Sequence, residues 1–543
     1  MPRSFAERTH TSWVYLIPLM IQVPLLIISS QMNPDQMNPD LVSYLLVAQH
    51  YLQGNFHLAI NGYWGPLFSW LIVPVLALSR DPVLAARIVN GIGAVIYLIG
   101  GIRILRAFGF DQIIVLAGGI LTALFSIYWS TFVIEPDLLM SGLLLVGLSF
   151  TLASEKQDTG RHPFVAGLFY GAAYLTKAVA LPITLLSLVS VALLRVLTRL
   201  RSFRAATSMV GRSMVGFILM AFPWVMVLSF HYGELTFSTS GIINHALVGP
   251  HNPDRLHPTF AVFNIPEAGR ITTWEDPTLF RNHPLYQLWS PFSSRVNFNH
   301  QIKLILYNAR LQHFYLNQFD GTGIGVFSAI LGFLLFRPWA RSFQTHPWRF
   351  AVIAIASITA IYLPVYALAP RYYLGCYPFL LSATFGLPTV LATVIQTLFG
   401  TQTSAGHPAS IRNVAVILTT LLFGYGLSGP LSQSLTRGND EAAFVMAKQV
   451  AAALPFHGPI AAVGDKSRVA LYVAYLTEQP YYGIKVEKNV SVAELQKTGA
   501  AFVLVKRGLP VDDALSKHPA ARLMELQAKD DPAWPLRVYQ LTR

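Results

Sequence analysis

Long apolar runs separated by short basic links constrain this chain more than any other feature. Hydrophobic residues make up 53% and charged residues 12% of its 543 residues, whereas a soluble domain averages about 25% charged residues. About eleven runs reach or approach the length that a membrane-spanning helix needs. They lie near residues 13–30, 83–105, 112–130, 137–154, 163–176, 178–195, 208–230, 321–337, 350–368, 372–398 and 412–431. The sequence therefore predicts a polytopic α-helical membrane protein.

The basic links predict the orientation of these spans. The net charge is +13, and most Lys and Arg residues lie in links that share one side of the membrane if the N-terminus is cytoplasmic. The same rule favours two short spans between residues 160 and 194, meeting near Thr176 and Lys177, over one kinked span. The first run is expected to be an uncleaved span, because no small-residue cleavage site follows it. No basic stretch is interleaved with aromatic residues on a soluble segment, which disfavours a nucleic-acid partner.

Three segments that do not span are expected on the outer face. The first two are the loops at residues 31–81 and 231–320, which belong to a membrane domain at residues 1–431. Within them, residues 66–78 and 297–318 are predicted to be helices at the membrane interface. The third segment, residues 437–543, is predicted to be a small soluble α/β domain. Its predicted helices lie at 440–454 and 492–497, and its predicted strands at 460–464, 501–506 and 536–541.

The first outer loop opens with a tandem repeat, QMNPD-QMNPD, at residues 31–40. In its second copy Asn38 can cap a helix, Pro39 can be the first helical residue and Asp40 can lie in the first turn. Tyr44 then falls one turn after Asp40 on the same face. An acid and a tyrosine are therefore expected to point the same way at the rim of the membrane.

Further charged residues are predicted at the same membrane face. Ionisable groups in such positions are expensive unless they are paired or functional. A structural role is open for each: Glu135 and Asp137 can cap a helix, Lys177 can snorkel to the interface, and Arg371 can anchor a span. The functional alternative is a shared cavity in which the two cations meet a phosphate.

The sequence shows no pattern of cysteine or histidine residues that is typical of a metal-binding site. Cys376 is the sole cysteine, so no thiolate site is available. The histidines of the second loop are not spaced as metal ligands on one helix. They are His245, His251, His257, His283, His300 and His313.

The first loop resembles that of the GT-C integral-membrane glycosyltransferases. Asp40, Tyr44 and Ala48, followed by the aromatic-Gly-Pro turn at residues 64–70, carry this resemblance. The nearest group is that of the protein O-mannosyltransferases and lipid A aminoarabinose transferases. Further markers that resemble this group are Glu135-Pro136-Asp137, Leu175-Thr176-Lys177-Ala178 and Arg371-Tyr372-Tyr373-Leu374. The tail is similar to the periplasmic domain of many bacterial members.

The resemblance implies a role for each marker. Asp40 takes the catalytic acidic position. The positions assigned to substrate binding are Tyr44, Glu135, Asp137, Lys177, Arg371 and Tyr372. Two departures stand out. Aminoarabinose transferases have Lys-Pro where this chain has Gly65-Pro66, and the repeat leaves Asp35 as a rival to Asp40, although the spacing to Tyr44 favours Asp40.

The resemblance implies a hexosyl or pentosyl transferase of the cell envelope, and the apolar runs predict that it is integral to the plasma (inner) membrane. A sugar would pass from a polyprenyl-phosphate donor to a lipid, glycan or protein acceptor at the outer face. Asp40 would act as general base in a single, inverting displacement. No cofactor is expected. A divalent metal is compatible with the acids but is not required, because Lys177 and Arg371 can serve the phosphate.

Two other classes of function remain open from the sequence. A secondary transporter or lipid flippase would use the same charges as a translocation path and would ordinarily show an internal repeat with broken helices near the midplane. The two halves of the chain show no convincing repeat. A non-catalytic scaffold acting through the tail would leave the acids of the first loop without a role.

Overall fold

The computed structural model describes most of the chain. The described residues are 12–154, 161–197, 199, 201–257, 261–280, 282–317, 348–365, 369–399, 409–466, 468–485, 490–524 and 535–542. Residues 13–435, the membrane region, are largely helical where they are described. Residues 442–541, the C-terminal region, combine helices with one sheet.

The helices of the membrane region follow the apolar runs of the sequence. They are α1 (Trp13–Met32), α2 (Pro39–Leu52), α3 (Phe56–Ala59), α4 (Pro66–Ser79), α5 (Pro82–Ala107), α6 (Gln112–Phe132), α7 (Asp137–Ala153), α8 (Arg161–Thr176), α9 (Ala180–Leu197), α10 (Phe203–Tyr232), α11 (Ser240–Leu247), α12 (Arg295–Asn317), α13 (Trp348–Ala360), α14 (Tyr377–Phe399) and α15 (Ala409–Leu435). Short 3-10 helices occupy Thr273–Glu275, Pro277–Phe280, Pro284–Tyr286 and Pro370–Cys376.

Five helices within the described residues are long and apolar enough to cross a membrane, namely α1, α5, α6, α9 and α10. The predicted pair of segments between residues 160 and 194 is present as α8 and α9, with the break at Lys177. The run predicted at 321–337 lies outside the described residues. The span predicted at 350–368 is wrong at its end, because α13 ends at Ala360 and residues 361–365 form a turn. Pro364 lies in this turn, and a proline disfavours helical conformation in the residue before it.

The loop at residues 31–81 folds as its capping pattern predicts. The Asn38 side chain accepts a hydrogen bond from the backbone N–H of Leu41 at 2.8 Å, and α2 begins at Pro39 with Asp40 in its first turn. Tyr44 is buried and its carbonyl accepts a hydrogen bond from the Ser69 hydroxyl at 2.9 Å. This bond fixes α4 against α2.

The C-terminal region contains a five-stranded mixed sheet in the order β2-β1-β3-β5-β4, with β1 parallel to β2 and β3, and β5 antiparallel to β3 and β4. Its elements are α16 (Ala442–Ala453), β1 (Ile460–Val463), α17 (Val469–Thr477), β2 (Tyr481–Lys485), α18 (Val492–Thr498), β3 (Phe502–Lys506), α19 (Pro510–Ser516), β4 (Ala521–Met524) and β5 (Leu536–Leu541). The predicted elements are all present. Four further elements, α17, β2, α19 and β4, were not predicted from the sequence.

The first copy of the repeat docks the C-terminal region. The Asp35 carboxylate pairs with the Lys448 ammonium at 2.8 Å, and the backbone N–H of Asp35 donates to the Asp440 carboxylate at 2.8 Å. The Asn33 side chain donates to the carbonyl of Ser434, near the end of α15 in the membrane region, at 2.8 Å. The two Asn-Pro-Asp copies therefore have different structural roles. The first copy contacts the C-terminal region, and the second copy begins α2.

A second connection is made by residues 261–280, the crossing loop. The backbone N–H of Tyr481 donates to Ile271 O at 2.6 Å, and that of Asn264 donates to Tyr482 O at 2.9 Å. The loop thereby covers the edge strand β2, whose unpaired groups would otherwise be open to other chains. At its other end, Glu275 contacts α2. The crossing loop thus joins the sheet to the helix that carries Asp40.

We predict that Gly65→Ala destabilises the membrane region. A Cβ atom at Gly65 would lie 2.6 Å from the carbonyl carbon of Thr176 and 2.7 Å from the carbonyl oxygen of Leu175, and overpacking of this kind costs about 1–3 kcal/mol. The melting temperature in detergent should fall. The matched control is Gly91→Ala in α5, where nothing lies within 4 Å, so its melting temperature should hold or rise slightly. Equal melting of both variants would contradict the close packing at Gly65.

Candidate active site

The charged residues of the candidate site come from four places where helices begin or end. Asp40 lies at the start of α2, Glu135 and Asp137 at the junction of α6 and α7, and Lys177 at the break between α8 and α9. Arg371 lies in the 3-10 helix that precedes α14. Helix ends can carry polar side chains without interrupting the apolar surface of a span, so this placement follows from the fold.

The Arg371 guanidinium contacts all three acids. Its Nη2 lies 2.9 Å from Asp40 Oδ2, its Nη1 is hydrogen-bonded to Glu135 Oε1, and its Nε lies 3.9 Å from Asp137 Oδ2. The Glu135 and Asp137 side chains are buried, whereas those of Asp40 and Arg371 are 23% and 22% exposed. The planar fork of arginine suits this arrangement, since several donors can reach separate carboxylates at once.

Lys177 is the second cation of the cluster. Its Nζ lies 2.7 Å from Asp137 Oδ1 and 5.0 Å from the centre of the Tyr372 ring. The guanidinium carbon of Arg371 is 5.5 Å from the same ring. Tyr372 in turn stacks on Tyr362 with ring centres 4.9 Å apart. The Tyr372 ring is therefore held beside both cations, where its face can stabilise their charge.

Burial and pairing set the protonation of the cluster. Burial raises the pKa of Glu135, and Arg371 opposes that shift. Burial alone would lower the pKa of Arg371, but its carboxylate partners outweigh burial and raise it well above the usual value. Burial would lower the pKa of Lys177, but Asp137, Tyr372 and Glu135 together outweigh burial and raise it. Burial, followed by the three nearby acids, raises the pKa of Tyr44. Both cations stay charged and Tyr44 keeps its proton.

Two buried atoms of the cluster keep unused hydrogen-bonding capacity. Asp137 Oδ2 and Arg371 Nε have no hydrogen-bond partner among the described residues, and 3.9 Å separates them. Buried polar atoms are rarely left in this condition. An acceptor and a donor that face one another across such a gap can both bind a polar ligand.

The structure brings together all the residues predicted to act on the substrate. Tyr44 lies edge-on to the rings of Trp64 and Phe68, at 5.0 and 5.4 Å between ring centres, and its phenol is close to the acids. Asp35 is outside this group, in its pair with Lys448. The chemical roles of the clustered residues stay predictions.

The crossing loop also contributes to the site, which was not predicted from the sequence. Glu275 is fully buried, and its Oε2 lies 2.8 Å from Nε2 of His50 on α2. Its Oε1 accepts backbone hydrogen bonds from Ile271 and Thr272 at 2.7 and 3.0 Å. The signal that could have revealed this turn is the capping box Thr272-x-x-Glu275, a pattern readable from the sequence.

Trp274 of the crossing loop packs directly above the first loop. Its carbonyl accepts hydrogen bonds from the Ser43 hydroxyl at 2.8 Å and from the Trp64 indole at 2.9 Å. The two indole rings are 5.1 Å apart and nearly perpendicular. Trp64 also lies edge-on to Tyr44. The crossing loop therefore supports the aromatic wall beside the acids.

The histidines of the second loop take local contacts. His245 stacks on Trp289 at 4.5 Å, and His257 Nε2 lies 2.7 Å from the Tyr286 hydroxyl. Burial lowers the pKa of His257 to about 3, which keeps it neutral. Within the described part of the chain, no group of three or more His, Cys, Asp or Glu residues is arranged to hold a metal ion.

Comparison with known proteins relates the chain to two solved structures. No protein-family model and no curated protein matches the sequence. ArnT of Cupriavidus metallidurans in the apo state is 14% identical, the match covers 98% of each chain, and the TM-score is 0.55. The apo oligosaccharyltransferase of Archaeoglobus fulgidus is 12% identical over 91% of this chain and 70% of its own, with a TM-score of 0.57.

Both proteins are GT-C glycosyltransferases, so the predicted GT-C fold is confirmed. ArnT has also been solved bound to undecaprenyl phosphate, at 14% identity and a TM-score of 0.54. The archaeal oligosaccharyltransferase, AglB, has been solved with an inhibitory peptide and a dolichol-phosphate. At these identities the likeness establishes the fold and leaves substrate and mechanism to the site itself.

We predict that Arg371→Ala destabilises the protein by about 3 kcal/mol, because it leaves buried carboxylates without their partner. Adding Glu135→Gln should restore part of the loss, since it removes one uncompensated charge. The deficit should be smaller at about pH 5 than at about pH 8, because carboxylates with raised pKa values take up protons more readily in the folded state as the pH falls.

The measurement is the melting temperature in detergent, with Arg507→Ala at an exposed turn of the C-terminal region as the control. A double variant that melts lower than Arg371→Ala alone, or a deficit that grows as the pH falls, would refute this account of the cluster.

Proposed function

We propose that this chain transfers a sugar from a polyprenyl-phosphate donor to an acceptor at the outer face of the plasma membrane. The observation that carries the proposal is the cluster of three acids and two cations at converging helix ends. The GT-C fold supports it, as do the two solved proteins of that fold that hold a polyprenyl or dolichyl phosphate. In the proposed orientation the N-terminus is cytoplasmic and the C-terminal region lies outside.

Asp40 is the proposed general base. It is the most exposed of the three acids, so an acceptor hydroxyl or amine can approach it. As the acceptor atom bonds to the anomeric carbon, Asp40 takes its proton, and the bond from that carbon to the phosphate oxygen breaks. The electron pair of the broken bond stays with the lipid phosphate. A single displacement of this kind inverts the anomeric centre.

Arg371 and Lys177 are the proposed partners of the leaving phosphate. Their charges can stabilise the negative charge that develops on the phosphate oxygen, and the arginine fork is well suited to phosphate. In the resting arrangement Arg371 Nη2 is bound to Asp40. A donor phosphate that draws Arg371 toward itself would free Asp40 to accept a proton. Donor binding would thereby precede activation of the acceptor.

The remaining residues of the cluster are proposed to orient the sugar and the cations. Asp137 holds the Lys177 ammonium at 2.7 Å. Glu135, whose pKa is raised by burial, faces the cluster and can bind a sugar hydroxyl. Tyr44 keeps its proton and is a hydrogen-bond donor at the same place. The ring of Tyr372 lies beside both Lys177 and Arg371 and is proposed to hold the two cations in place for the phosphate.

The donor tail is proposed to remain in lipid while its headgroup enters the cluster. The amphipathic helix α12 supports this placement, because apolar side chains such as Ile302, Leu306 and Phe314 are exposed. On its other face Gln301 and Asn308 bind carbonyls of the turn after α13. A helix of this kind lies in the membrane interface, close to the turn that leads to Arg371.

We predict that Asp40→Asn lowers transfer about a hundred- to ten-thousand-fold, the usual contribution of a placed base, while Asp35→Asn retains it. The assay follows sugar transfer from radiolabelled polyprenyl-phosphate sugars in membranes that carry equal amounts of each variant. Arg371→Ala should also lose transfer, because the leaving phosphate loses its cation. EDTA should leave the wild-type rate unchanged.

Two results would count against the assignment. Undiminished transfer by Asp40→Asn would remove it as the base, and loss of transfer in Asp35→Asn at wild-type melting temperature would point to the rival acid. Accumulation of donor on the far side of sealed vesicles without sugar transfer would favour a flippase.

A further inference from the structure

A cavity lies between the membrane region and the C-terminal region, apart from the candidate active site. Its volume is about 640 Å³, within the range of small-ligand sites. It is lined by the end of α1, the start of α5 and parts of α16 and α17. Gln49 also lines it, and helical geometry puts Gln49 on the opposite side of α2 from Asp40. None of the acids or cations of the candidate active site lines this cavity.

The cavity has a cationic wall. Arg87 Nη1 donates to Ser30 O at 3.0 Å, and Nη2 donates to Asn33 O at 2.5 Å. These partners are neutral; the carboxylates of Asp440, Asp35 and Asp81 act on the guanidinium electrostatically, but among the described residues none forms an ion pair with it. Arg87 Nε is buried without a hydrogen-bond partner among the described residues. The unused Nε–H donor of a cationic side chain favours an anionic group such as a phosphate.

A second part of the cavity wall is acidic. Asp81 comes from the membrane region and Glu478 from the C-terminal region. Burial raises the pKa of Tyr475, and the carboxylates of Asp81 and Glu478 raise it further, which places both acids near one phenol. Neither acid has an ion-pair partner within the described part of the chain. Lys448, the other cation of the lining, is already paired with Asp35.

The lining as a whole therefore holds three carboxylates and two cations. A purely anionic ligand would meet net negative charge. A ligand with a phosphate and an ammonium can satisfy both walls, and a primary ammonium offers three hydrogen-bond donors to the acids.

The cavity continues into an apolar strip on the membrane region. Leu84 lines the cavity and is 43% exposed, and Ile88 and Ile92 follow it with similar exposure. Residues at this four-residue spacing share one face of α5. Ile27 of α1 is also exposed near the same end. A hydrocarbon chain can lie along this strip while its polar end occupies the cavity.

We propose that this cavity binds the headgroup of an outer-leaflet phospholipid that carries both a phosphate and a primary ammonium. The phosphate contacts Arg87, and the ammonium lies between Asp81 and Glu478. Because these acids belong to different regions of the chain, the lipid bridges the membrane region and the C-terminal region. This lipid is distinct from the polyprenyl donor, so the inference does not depend on the proposed transfer reaction.

The test is lipid retention by the full-length, delipidated protein in detergent. Equal amounts of dioleoyl phosphatidylethanolamine, phosphatidylglycerol and phosphatidylcholine are added, and bound lipid is measured by native mass spectrometry. The first of these should be retained about tenfold more than the others, as expected for about 1.4 kcal/mol of selectivity. Phosphatidylglycerol lacks the ammonium, and phosphatidylcholine lacks its N–H donors.

The variant Asp81→Asn/Glu478→Gln should lose this preference. Asparagine caps helices as well as aspartate does, so the hydrogen bond from Leu84 N–H to residue 81 can persist. The matched control is Asp254→Asn/Asp513→Asn, which removes two exposed carboxylates elsewhere. Leu476→Trp, which fills the cavity from its apolar side, should also release the lipid.

Melting temperatures are recorded for each variant, so that retention is compared only between folded proteins. Equal retention of the three lipids by the wild type, preference for phosphatidylglycerol, or unchanged phosphatidylethanolamine binding by the double variant and by Leu476→Trp would each overturn the proposal.

Discussion

The candidate site depends on one interaction, the contact of the Arg371 guanidinium with three carboxylates. Two of these acids are buried, and a buried carboxylate without a partner is strongly destabilising. The folded state therefore requires three segments to lie in contact with one another. They are the start of α2, the junction of α6 and α7, and the 3-10 helix before α14. The ion pairs of Arg371 stabilise the fold and also bring together the charges that the proposed chemistry needs. A substitution of Arg371 is therefore expected to affect both the stability and the proposed activity of the protein.

The departure at Gly65 has a physical explanation in this arrangement. Aminoarabinose transferases have lysine at that position, but here the chain runs against the carbonyl groups of Leu175 and Thr176, which leave no space for a side chain. The next residue after this contact is Lys177, whose ammonium pairs with Asp137. Lys177 belongs to a separate marker of the resemblance, Leu175-Thr176-Lys177-Ala178, so it does not replace the lysine that the resemblance led us to expect at residue 65. The glycine at residue 65 therefore leaves out one phosphate contact that the resemblance implies.

The sequence could predict what depends on local pattern. Apolar length located the helices, Asn38 and Pro39 located the start of α2, and the sidedness of the spans gathered Asp40 and Arg371 into one predicted site. It could not predict the pairing of Asp35 with Lys448, because neither helix periodicity nor capping carries information about partners so far apart in the chain. Strand β4 was missed for a similar reason, since its mostly exposed edge position leaves no apolar alternation to read.

The crossing loop gives the C-terminal region a structural role in the site. It pairs with the edge of the sheet through Ile271 and Tyr481, and a few residues later Glu275 is bound to His50 of α2. The intervening turn is held by hydrogen bonds from the backbone N–H groups of Ile271 and Thr272 to the same Glu275 carboxylate. These bonds fix the position of the sheet edge relative to α2. Because α2 also carries Asp40, the sheet, the loop and the proposed base form one connected unit. The C-terminal region is therefore part of the scaffold that orients Asp40 toward Arg371.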